Sequence, residues 1–287
     1  MEIFELRYFL AVAREEHLHR ASDRLRVSPA ALSKAISRLE AELGKKLFLR
    51  EGRRIRLSDE GKLLQRRAHE IIKLEETTRT ELVGGRTALH AEIAGSEILL
   101  SGWGPMVCDQ IRGRYPGATF ELLVMEEHAA LGAVQRGEVH FSLTSSDVPA
   151  GLRSRKISDV TFRTCVGEGH PLYESARQKK TVPIDIVLEH GFASPDRPFL
   201  GRTRPRQSLD GWRDDAFPRR IEYVVSSLKL LETLVTQGRI LAYLPDYYAR
   251  TLRVLTLDIS GCPYSCKQTV KLVAPESRST SWINQVF

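Results

Sequence analysis

The stretch from Leu18 to Glu40, LHRASDRLRVSPAALSKAISRLE, predicts two short helices joined by a tight turn. Leu18, Ala21 and Leu25 recur at spacings of three and four residues, which places them on one face of the first helix. Ser28-Pro29 then supplies an N-cap followed by the residue best suited to the first helical position. The small Ala21 lets the two helices approach closely, as a helix-turn-helix requires. Such a unit lays the start of its second helix in the major groove of DNA.

The second helix of the pair has one apolar and one polar side. Its expected inward residues are Ala31, Leu32, Ala35, Ile36 and Leu39, and its expected outward residues are Ser33, Lys34, Ser37 and Arg38. Amphipathic helix pairs are also common in proteins that bind no DNA, so the motif alone is only moderately specific.

The residues after this pair make the prediction more specific. Leu47–Arg50 and Ile55–Leu57 read as two short strands around a basic turn, and Ser58 caps a long helix that begins at Asp59. A helix pair, a basic β-wing and a capped helix together describe a winged helix-turn-helix.

The run from Leu6 to Leu64 resembles the DNA-binding domain of LysR-type transcriptional regulators. The matching segments are FLAVAREE in the first helix, RASDRLRVSPAALSKAISRLEAELG, and LFLREGRRIRLSDEG with the helix after it. The resemblance implies a transcriptional regulator that binds operator DNA as a homodimer or homotetramer. This chain has Ala21-Ser22 where the family usually shows two alanines, and Pro29-Ala30 where it usually shows Gln-Pro. The second departure falls where base edges are read, so the operator sequence does not transfer from relatives.

The DNA contacts are expected from the second helix and the wing. The amides at the helix start and the Ser28 hydroxyl suit phosphates or base edges, whereas Pro29 and Ala30 offer only apolar contact, for instance with thymine methyl groups. Ser33 and Lys34 are the predicted polar contacts to bases. The remaining DNA-binding candidates are Arg38, which we expect on the backbone, Arg50, and the wing residues Arg53 and Arg54, which we expect on the flanking backbone or in the minor groove.

The positive charge of the chain is concentrated in this region. The net charge is +7, and the segment from Leu18 to Arg67 contains 14 lysines and arginines against 6 acidic residues, so the remainder is close to neutral. A charged run is usually a solvated face, but one that coincides with a helix-turn-helix and its wing favours a phosphate-binding surface.

The length of 287 residues suits two or three compact units, and 42% hydrophobic with 28% charged residues is typical of a soluble globular protein. The first residues, MEIFELRYFL, lack the basic start and cleavage site of a signal peptide, and no apolar run approaches a membrane span. We therefore expect a cytoplasmic protein that does not bind membranes.

The four cysteines are then expected to be reduced. Cys262-x-x-x-Cys266 is compatible with a redox switch or half a metal site, but no nearby histidine or cysteine completes a ligand set. Buried or incidental thiols are the favoured interpretation. No metal and no cofactor is predicted.

Three segments are predicted: a winged helix-turn-helix at 1–58 with its motif at about 18–37, a linker and dimerisation helix at 59–88, and an effector-binding domain at 89–287. In the long helix, an apolar stripe has no predicted domain to cover it and therefore favours pairing with a second copy. The residues assigned to dimerisation are Leu64, Ala68, Ile71 and Ile72. The alternative is a helix packed on its own C-terminal domain, but a DNA half-site reader needs two copies for affinity and register.

After Gly84-Gly85 strands and helices alternate, as in an α/β domain with a parallel sheet. We expect strands at 91–94, 119–125 and 139–143, and helices at 105–114 and 129–136. The spacing resembles the effector-binding domain of the same family, which implies a two-lobed fold like that of periplasmic binding proteins. Lobe I would comprise about 89–160 and 267–287, and lobe II about 161–266.

Ligands of open α/β sheets bind beyond the carboxyl ends of strands, near helix N-termini. Matching the loops there to the family pattern makes the following residues candidate effector contacts: Ser96, Thr144, Ser145, Ser226 and Ser227. Their hydroxyls and nearby amides suit a carboxylate or another anion, although simple helix capping competes evenly for each residue. Trp103 is a further candidate that lines or plugs the cleft. The segment from Asp196 to Arg206 contains four arginines, which suit an acidic ligand or a solvated loop.

Two other functions compete with that of an effector-responsive regulator. An enzyme with a DNA-binding appendage is disfavoured because the sequence has no GxSxG, HExxH, Walker loop, nucleotide fingerprint or cysteine-rich metal set. A ligand-independent architectural DNA-binding protein remains the other alternative. The sequence favours a non-enzymatic LysR-type regulator whose DNA binding responds to a small molecule.

Overall fold

The computed structural model describes residues 1–51, 54–82, 89–201, 206–276 and 281–287. Its contacts group the chain into two compact units. The first unit comprises Met1–Ala91, Ile111–Glu121 and Gly132–His140, and the second comprises Glu92–Gln110, Leu122–Leu131 and Phe141–Phe287. The domain boundaries predicted at 58 and 88 stay a prediction.

The first unit begins with three helices, a hairpin and a long helix: α1 Ile3–Glu15, α2 Leu18–Leu25, α3 Pro29–Leu43, β1 Phe48–Glu51, β2 Arg54–Leu57 and α4 Asp59–Leu82. Strands β1 and β2 are antiparallel, with Phe48 opposite Leu57. The winged helix-turn-helix predicted from the sequence is confirmed.

Helix α3 starts where the sequence predicts and ends later. The Ser28 Oγ accepts a hydrogen bond from the Ala31 N–H at 3.1 Å, and Pro29 occupies the first turn. The helix continues to Leu43 and ends at Gly44, whose φ of 63° is the left-handed conformation that favours glycine. The helix therefore runs one turn beyond Leu39.

The inward face of α3 is narrower than predicted. Leu32, Ile36 and Leu39 are buried in a core that they share with Leu6 and Phe9 of α1. Ala31, which was expected to face inward, is exposed, and Ala35 is only half-buried. The buried residues follow one another at four and three residues, so Ala31 lies about 100° around the helix from that stripe.

The apolar stripe of α4 is covered by the same core. Ala68 is 0% and Ile72 8% exposed, and Leu64 and Ile71 pack against them while partly buried. Helix α1 lies beneath this face of α4. The expectation that no domain covers the stripe is therefore wrong. The apolar pattern within one helix does not reveal which neighbouring helix packs on it.

The first turn of α4 is held against the start of the wing. The Ser58 Oγ accepts from the Gly61 N–H at 2.9 Å and donates to the Lys46 carbonyl oxygen at 2.6 Å. A Cβ added to Gly61 would lie 2.2 Å from the Leu47 carbonyl oxygen. Position 61 therefore has room only for glycine, and the predicted cap at Ser58 is confirmed.

After α4 the chain forms the following elements: β3 His90–Gly95, α5 Glu97–Arg114, β4 Thr119–Val124, α6 Glu127–Arg136, β5 Phe141–Thr144, β6 Leu152–Gly167, α7 Tyr173–Arg177, β7 Thr181–Pro183, α8 Ile184–Leu188, β8 Gly191–Pro195, β9 Arg220–Val225, α9 Leu228–Thr236, β10 Leu241–Pro245, α10 Asp246–Ala249, β11 Val254–Thr256, β12 Asp258–Ser260, β13 Lys267–Pro275 and α11 Ser281–Val286. Among the described residues, no helix has both the length and the apolar character needed to cross a membrane.

One large sheet has the strand order β4-β3-β5-β13-β6-β10-β8-β9, with β11 paired to β6. Strands β6 and β13 are long, antiparallel partners that pair from Leu152 opposite Pro275 to Thr161 opposite Lys267. Strand β5 joins β13 at 271–273, whereas β10 joins β6 at 162–165. The two long strands therefore carry a group of strands at each end. The α/β class is confirmed, and the lobe boundaries at 160 and 266 stay predictions.

Helix α5 begins at Glu97, so the expected start at Pro105 is wrong. Pro105 lies inside the helix, where proline removes one backbone hydrogen bond. Ile98 and Leu99, about two turns before the proline, are nearly fully buried. Their burial favours a helix that continues through the proline. The sequence from Gly102 to Pro105 alone does not reveal this burial.

Gly61→Ala is predicted to destabilise the protein by roughly 1–3 kcal/mol, because the added Cβ must displace backbone. Gly113→Ala is the matched control, since a Cβ there meets nothing within 4 Å. Alanine exceeds glycine in helix propensity by about 1 kcal/mol, so this control should be neutral or stabilising. Urea unfolding of both variants measures the difference. Equal stabilisation by both would contradict the close packing at Gly61.

A buried histidine predicts a pH dependence of stability. His170 is buried, its Nδ1 accepts from the Leu172 N–H at 3.1 Å, and its ring centroid lies 4.7 Å from that of His190. Burial, with a smaller contribution from His190, lowers the pKa of His170 from 6.5 to about 4. The unfolded chain therefore binds the proton first as the pH falls through this interval.

We expect the contribution of His170 to stability to be complete above pH 6.5 and to be lost as the pH falls toward 4. The loss at pH 4.5 should be roughly 2–3 kcal/mol. His170→Asn, which retains an acceptor, should lose less stability than the wild type between pH 7 and 4.5 in thermal unfolding. His128→Asn, at an exposed histidine, is the control. Parallel pH profiles for wild type and His170→Asn would argue against this assignment.

Candidate nucleic-acid interface and effector cavity

Most of the predicted DNA-binding residues lie on the outer face of α3. Ser28, Ala30, Ser33 and Lys34 are exposed, and Pro29 is half-buried. The burial of Leu32 and Ile36 on the opposite side fixes the rotation of the helix, so these residues share one solvent-facing surface. A helix start with exposed hydroxyls, amides and one lysine is suited to both phosphate and base-edge contacts.

Arg38 lies on α3 but is anchored to α1. Its Nε donates to the Glu5 Oε1 at 2.5 Å, and its guanidinium lies 5.7 Å from the centroid of the Phe4 ring. Burial alone would raise the pKa of Glu5, but the hydrogen bond from the Glu2 amide and the pairing with Arg38 outweigh it and lower that pKa. The Arg38 side chain remains 59% exposed. It is therefore held in one place while still facing solvent.

The wing is fixed to the end of α3 by Glu40. The Glu40 carboxylate accepts from the Leu47 N–H at 2.9 Å, from the Phe48 N–H at 3.3 Å and from the Lys46 Nζ at 2.6 Å. Glu40 was not among the residues predicted from the sequence. Its only signal was an acidic residue near the helix end, eight residues before the strand that it holds.

The predicted wing contacts fall largely outside the described residues. Arg53 is among the residues that the structure does not describe, and the side chains of Arg50 and Arg54 are likewise outside the description. Arg56, which sequence analysis did not propose as a contact, has an exposed side chain on β2.

The second unit contains a cavity of about 540 Å3. The first residues of α5, α6 and α9 line it, together with the segment after β8. Apolar side chains such as Ile98, Phe199 and Leu228 contribute to the wall. The cavity therefore lies among helix N-termini, where the sequence predicts a ligand site.

Three of the predicted effector contacts line this cavity: Ser96, Ser226 and Ser227. Ser227 is the N-cap residue of α9, but its side chain makes no capping hydrogen bond. The Ser96 Oγ donates to the Phe199 carbonyl oxygen at 3.4 Å. For Ser227, the competing interpretation as a helix cap is therefore not realised.

Thr144 and Ser145 are occupied by a carboxylate of the same chain. Glu127 Oε2 accepts from the Thr144 Oγ1 at 2.6 Å and from the Ser145 N–H at 2.7 Å. It also accepts from the Ser146 N–H and Oγ, both at 3.0 Å. Neither Thr144 nor Ser145 is among the lining residues, whereas Ser146 and Glu127 are. The donors expected to bind an effector anion bind Glu127.

Glu127 was not among the residues predicted from the sequence. It lies in the first turn of α6, directly after β4, and is almost fully buried. A polar residue at the carboxyl end of a strand was an available signal, but a glutamate is also an ordinary residue at a helix start. Its partners lie seventeen residues or more along the chain, and periodicity does not reveal such pairing.

Trp103 is buried within α5 and is not among the residues that line the cavity. Its ring centroid lies 4.0 Å from that of Tyr247. The Tyr247 hydroxyl donates to the Ile98 carbonyl oxygen at 2.7 Å, and a Cβ on Gly102 would lie 2.5 Å from the Tyr247 ring. Trp103 and Tyr247 therefore brace the start of α5, which is a packing role.

The four cysteines are free thiols. Cys108, Cys165 and Cys266 are buried, and Cys262 is half-buried. Burial raises the pKa of the Cys165 thiol to about 12, which keeps it protonated at neutral pH. The burial of Cys108, Cys165 and Cys266 agrees with the structural interpretation that the sequence favoured.

Both parts of the chain match known protein families. Residues 3–62 match the bacterial regulatory helix-turn-helix proteins of the lysR family, and residues 86–286 match the LysR substrate binding domain. A probable RuBisCO transcriptional regulator of Synechocystis sp. is 33% identical, over 82% of this chain and 68% of that protein. The transcriptional activator IlvY of Haemophilus influenzae is 28% identical, over 86% of this chain and 84% of that protein.

Solved structures share the fold. Full-length LysG of Corynebacterium glutamicum, solved with bound effector Arg, superposes with a TM-score of 0.64 at 22% identity, covering 100% of this chain and 96% of that one. Full-length CbnR in complex with its target DNA gives 0.54 at 19% identity, covering 100% and 97%. The chain belongs to the LysR family of DNA-binding transcriptional regulators, with an N-terminal helix-turn-helix domain and a C-terminal effector-binding domain.

Proposed function

We propose that the chain binds operator DNA as a homo-oligomer and that a small molecule in the cavity of the second unit changes this binding. The observation that supports the DNA contact is the polar outer face of α3. This face points toward solvent because Leu32, Ile36 and Leu39 are buried on the opposite side of the helix. In this proposal the start of α3 enters the major groove.

The residues have separate roles in this contact. Ser28, Ser33 and Lys34 read base edges or adjacent phosphates, Pro29 and Ala30 make apolar contacts, and Arg38 meets the backbone. The wing arginines Arg50, Arg53 and Arg54 bind flanking phosphates or the minor groove. Contacts to phosphates position the protein on the duplex without specifying the base sequence.

The oligomer is proposed from the need of a half-site reader for two copies. Since Leu64, Ala68, Ile71 and Ile72 pack in the core of their own chain, the contact with a second copy is assigned to another face of α4. Leu63 and Leu74 lie three turns apart on one side of the helix and are 51% and 68% exposed. They are the apolar side chains proposed for the interface.

The effector is proposed to bind in the 540 Å3 cavity. Ser96, Ser226 and Ser227 supply hydroxyls at helix starts, and apolar side chains cover the body of the ligand. Binding that favours one arrangement of the oligomer over another changes DNA affinity by linkage. No enzymatic activity is proposed, and the chain is proposed to act in the cytoplasm, where its DNA is.

A ligand-independent architectural DNA-binding protein remains the second candidate. The observation that favours it is Glu127, whose carboxylate already fills the donors at Thr144, Ser145 and Ser146. A domain whose own side chain occupies this position needs no added anion to complete it.

Lys34→Ala is predicted to weaken binding to the chain's selected operator more than binding to random duplex DNA, because a base contact specifies sequence. Arg53→Ala is predicted to weaken both alike and to reduce the slope of log affinity against log salt by about one unit. Fluorescence anisotropy over a salt series measures both effects. Lys229→Ala, at an exposed lysine in α9, is the control and should change neither.

Identical losses on operator and random DNA for both variants would contradict the division of roles. Absence of any salt-dependent duplex binding by the wild-type chain would contradict the proposed DNA contact itself.

A further inference from the structure

We infer that the cavity selects a ligand with a positively charged group, and that Glu127 is the residue that sets this preference. The inference rests on the proposed function of the cavity as the effector site. It concerns only the chemical class of the ligand, which the sequence had suggested to be anionic.

The Glu127 carboxylate is held by a complete set of donors. In addition to Thr144, Ser145 and Ser146, the Gly201 N–H donates to Glu127 Oε1 at 2.6 Å, and the Ser145 Oγ donates to the same oxygen at 3.2 Å. Both oxygens therefore accept from backbone amides and hydroxyls, which are the donors that proteins use to bind a carboxylate ligand. This arrangement is a filled anion site.

An anionic ligand would meet two obstacles at this position. It would have to displace Glu127 from six donor groups, and the displaced side chain, attached to the first turn of α6, would stay near the cavity as a like charge. Like charges brought together out of water repel strongly. A cation meets neither obstacle, since it is attracted to Glu127 where it stands.

The donors to Glu127 are neutral, so they spread its charge without cancelling it. Within the described part of the chain, no lysine, arginine or histidine forms an ion pair with Glu127. Lys271 lies close by, but its Nζ donates to the Ser146 carbonyl oxygen at 3.1 Å. The Glu127 carboxylate therefore borders the cavity without a directly paired cation among the described residues.

The other charged residues of the described lining add to this potential. Glu97, Glu126 and Asp196 are acidic, and the one arginine, Arg197, donates from its Nε to Asp196 at 3.2 Å. Ile98, Val124, Phe199 and Leu228 supply apolar surface around these groups. The combination suits an organic cation with an apolar body, such as an alkyl or aryl amine.

The test uses pairs of probes that have the same carbon skeleton and opposite charge. Hexane-1,6-diamine is compared with adipate, and benzylamine with benzoate, by isothermal titration calorimetry on the full chain without DNA. The wild type is expected to bind at least one amine at least tenfold more tightly than its carboxylate partner. This comparison needs no variant and is decided on the native chain.

Two variants assign the preference to Glu127. Glu127→Ala removes the carboxylate and frees its donors, so adipate should gain and the diamine should lose at least tenfold in affinity. Glu189→Gln is the matched control, because it removes one negative charge from an exposed glutamate of the same unit that does not line the cavity. It should change both affinities less than threefold.

Carboxylate binding to the wild type that equals or exceeds amine binding would overturn the inference, and so would the absence of amine binding at 10 mM. An unchanged order of affinities in a folded Glu127→Ala would overturn the role of that residue. None of these results touches DNA binding. Salt-sensitive duplex affinity would then still support the proposed function, whereas its loss would remove that function independently.

Discussion

The rotation of α3 about its own axis is the constraint on which the DNA-binding surface depends. Leu32, Ile36 and Leu39 are buried on one side, and exposing any one of them would cost about 1.5–3 kcal/mol. Turning the helix enough to hide Lys34 would expose all three. Contacts from α1 and α4 on the same core therefore decide which side chains reach solvent, even though neither helix presents the predicted reading residues.

In addition to apolar packing, buried carboxylates that bind cations or backbone amides fix the local geometry. Glu5 and Glu40 both have mostly buried carboxylates. Glu5 pairs with Arg38, and Glu40 accepts hydrogen bonds from the backbone at the start of the wing. In the second unit, Glu127 does the same for the loop after β5. In all three cases an acidic side chain organises backbone amides or a cation, so acidic residues fix much of the geometry of a protein whose net charge is +7.

The parts of the fold that depend on local pattern could be predicted, and those that depend on distant partners could not. The start of α3 at Ser28-Pro29 and the cap of α4 at Ser58 follow from the local sequence. The start of α5 was misplaced because the burial that carries it through Pro105 comes from other elements. The apolar stripe on α4 was expected to lie uncovered, but it packs on the core that α1 shares. At the cavity, the hydroxyl loops were identified, but the carboxylate that fills one of them lies in another element.

The most direct measurement of the central claim is hydrogen–deuterium exchange of the full chain with and without a duplex selected from a random-sequence library. The account predicts slowed exchange at 28–38, with smaller effects in the wing and none in α9, whose amides serve as the internal reference. Exchange at 28–38 that stays unchanged at saturating DNA would contradict the claim that the outer face of α3 contacts the duplex.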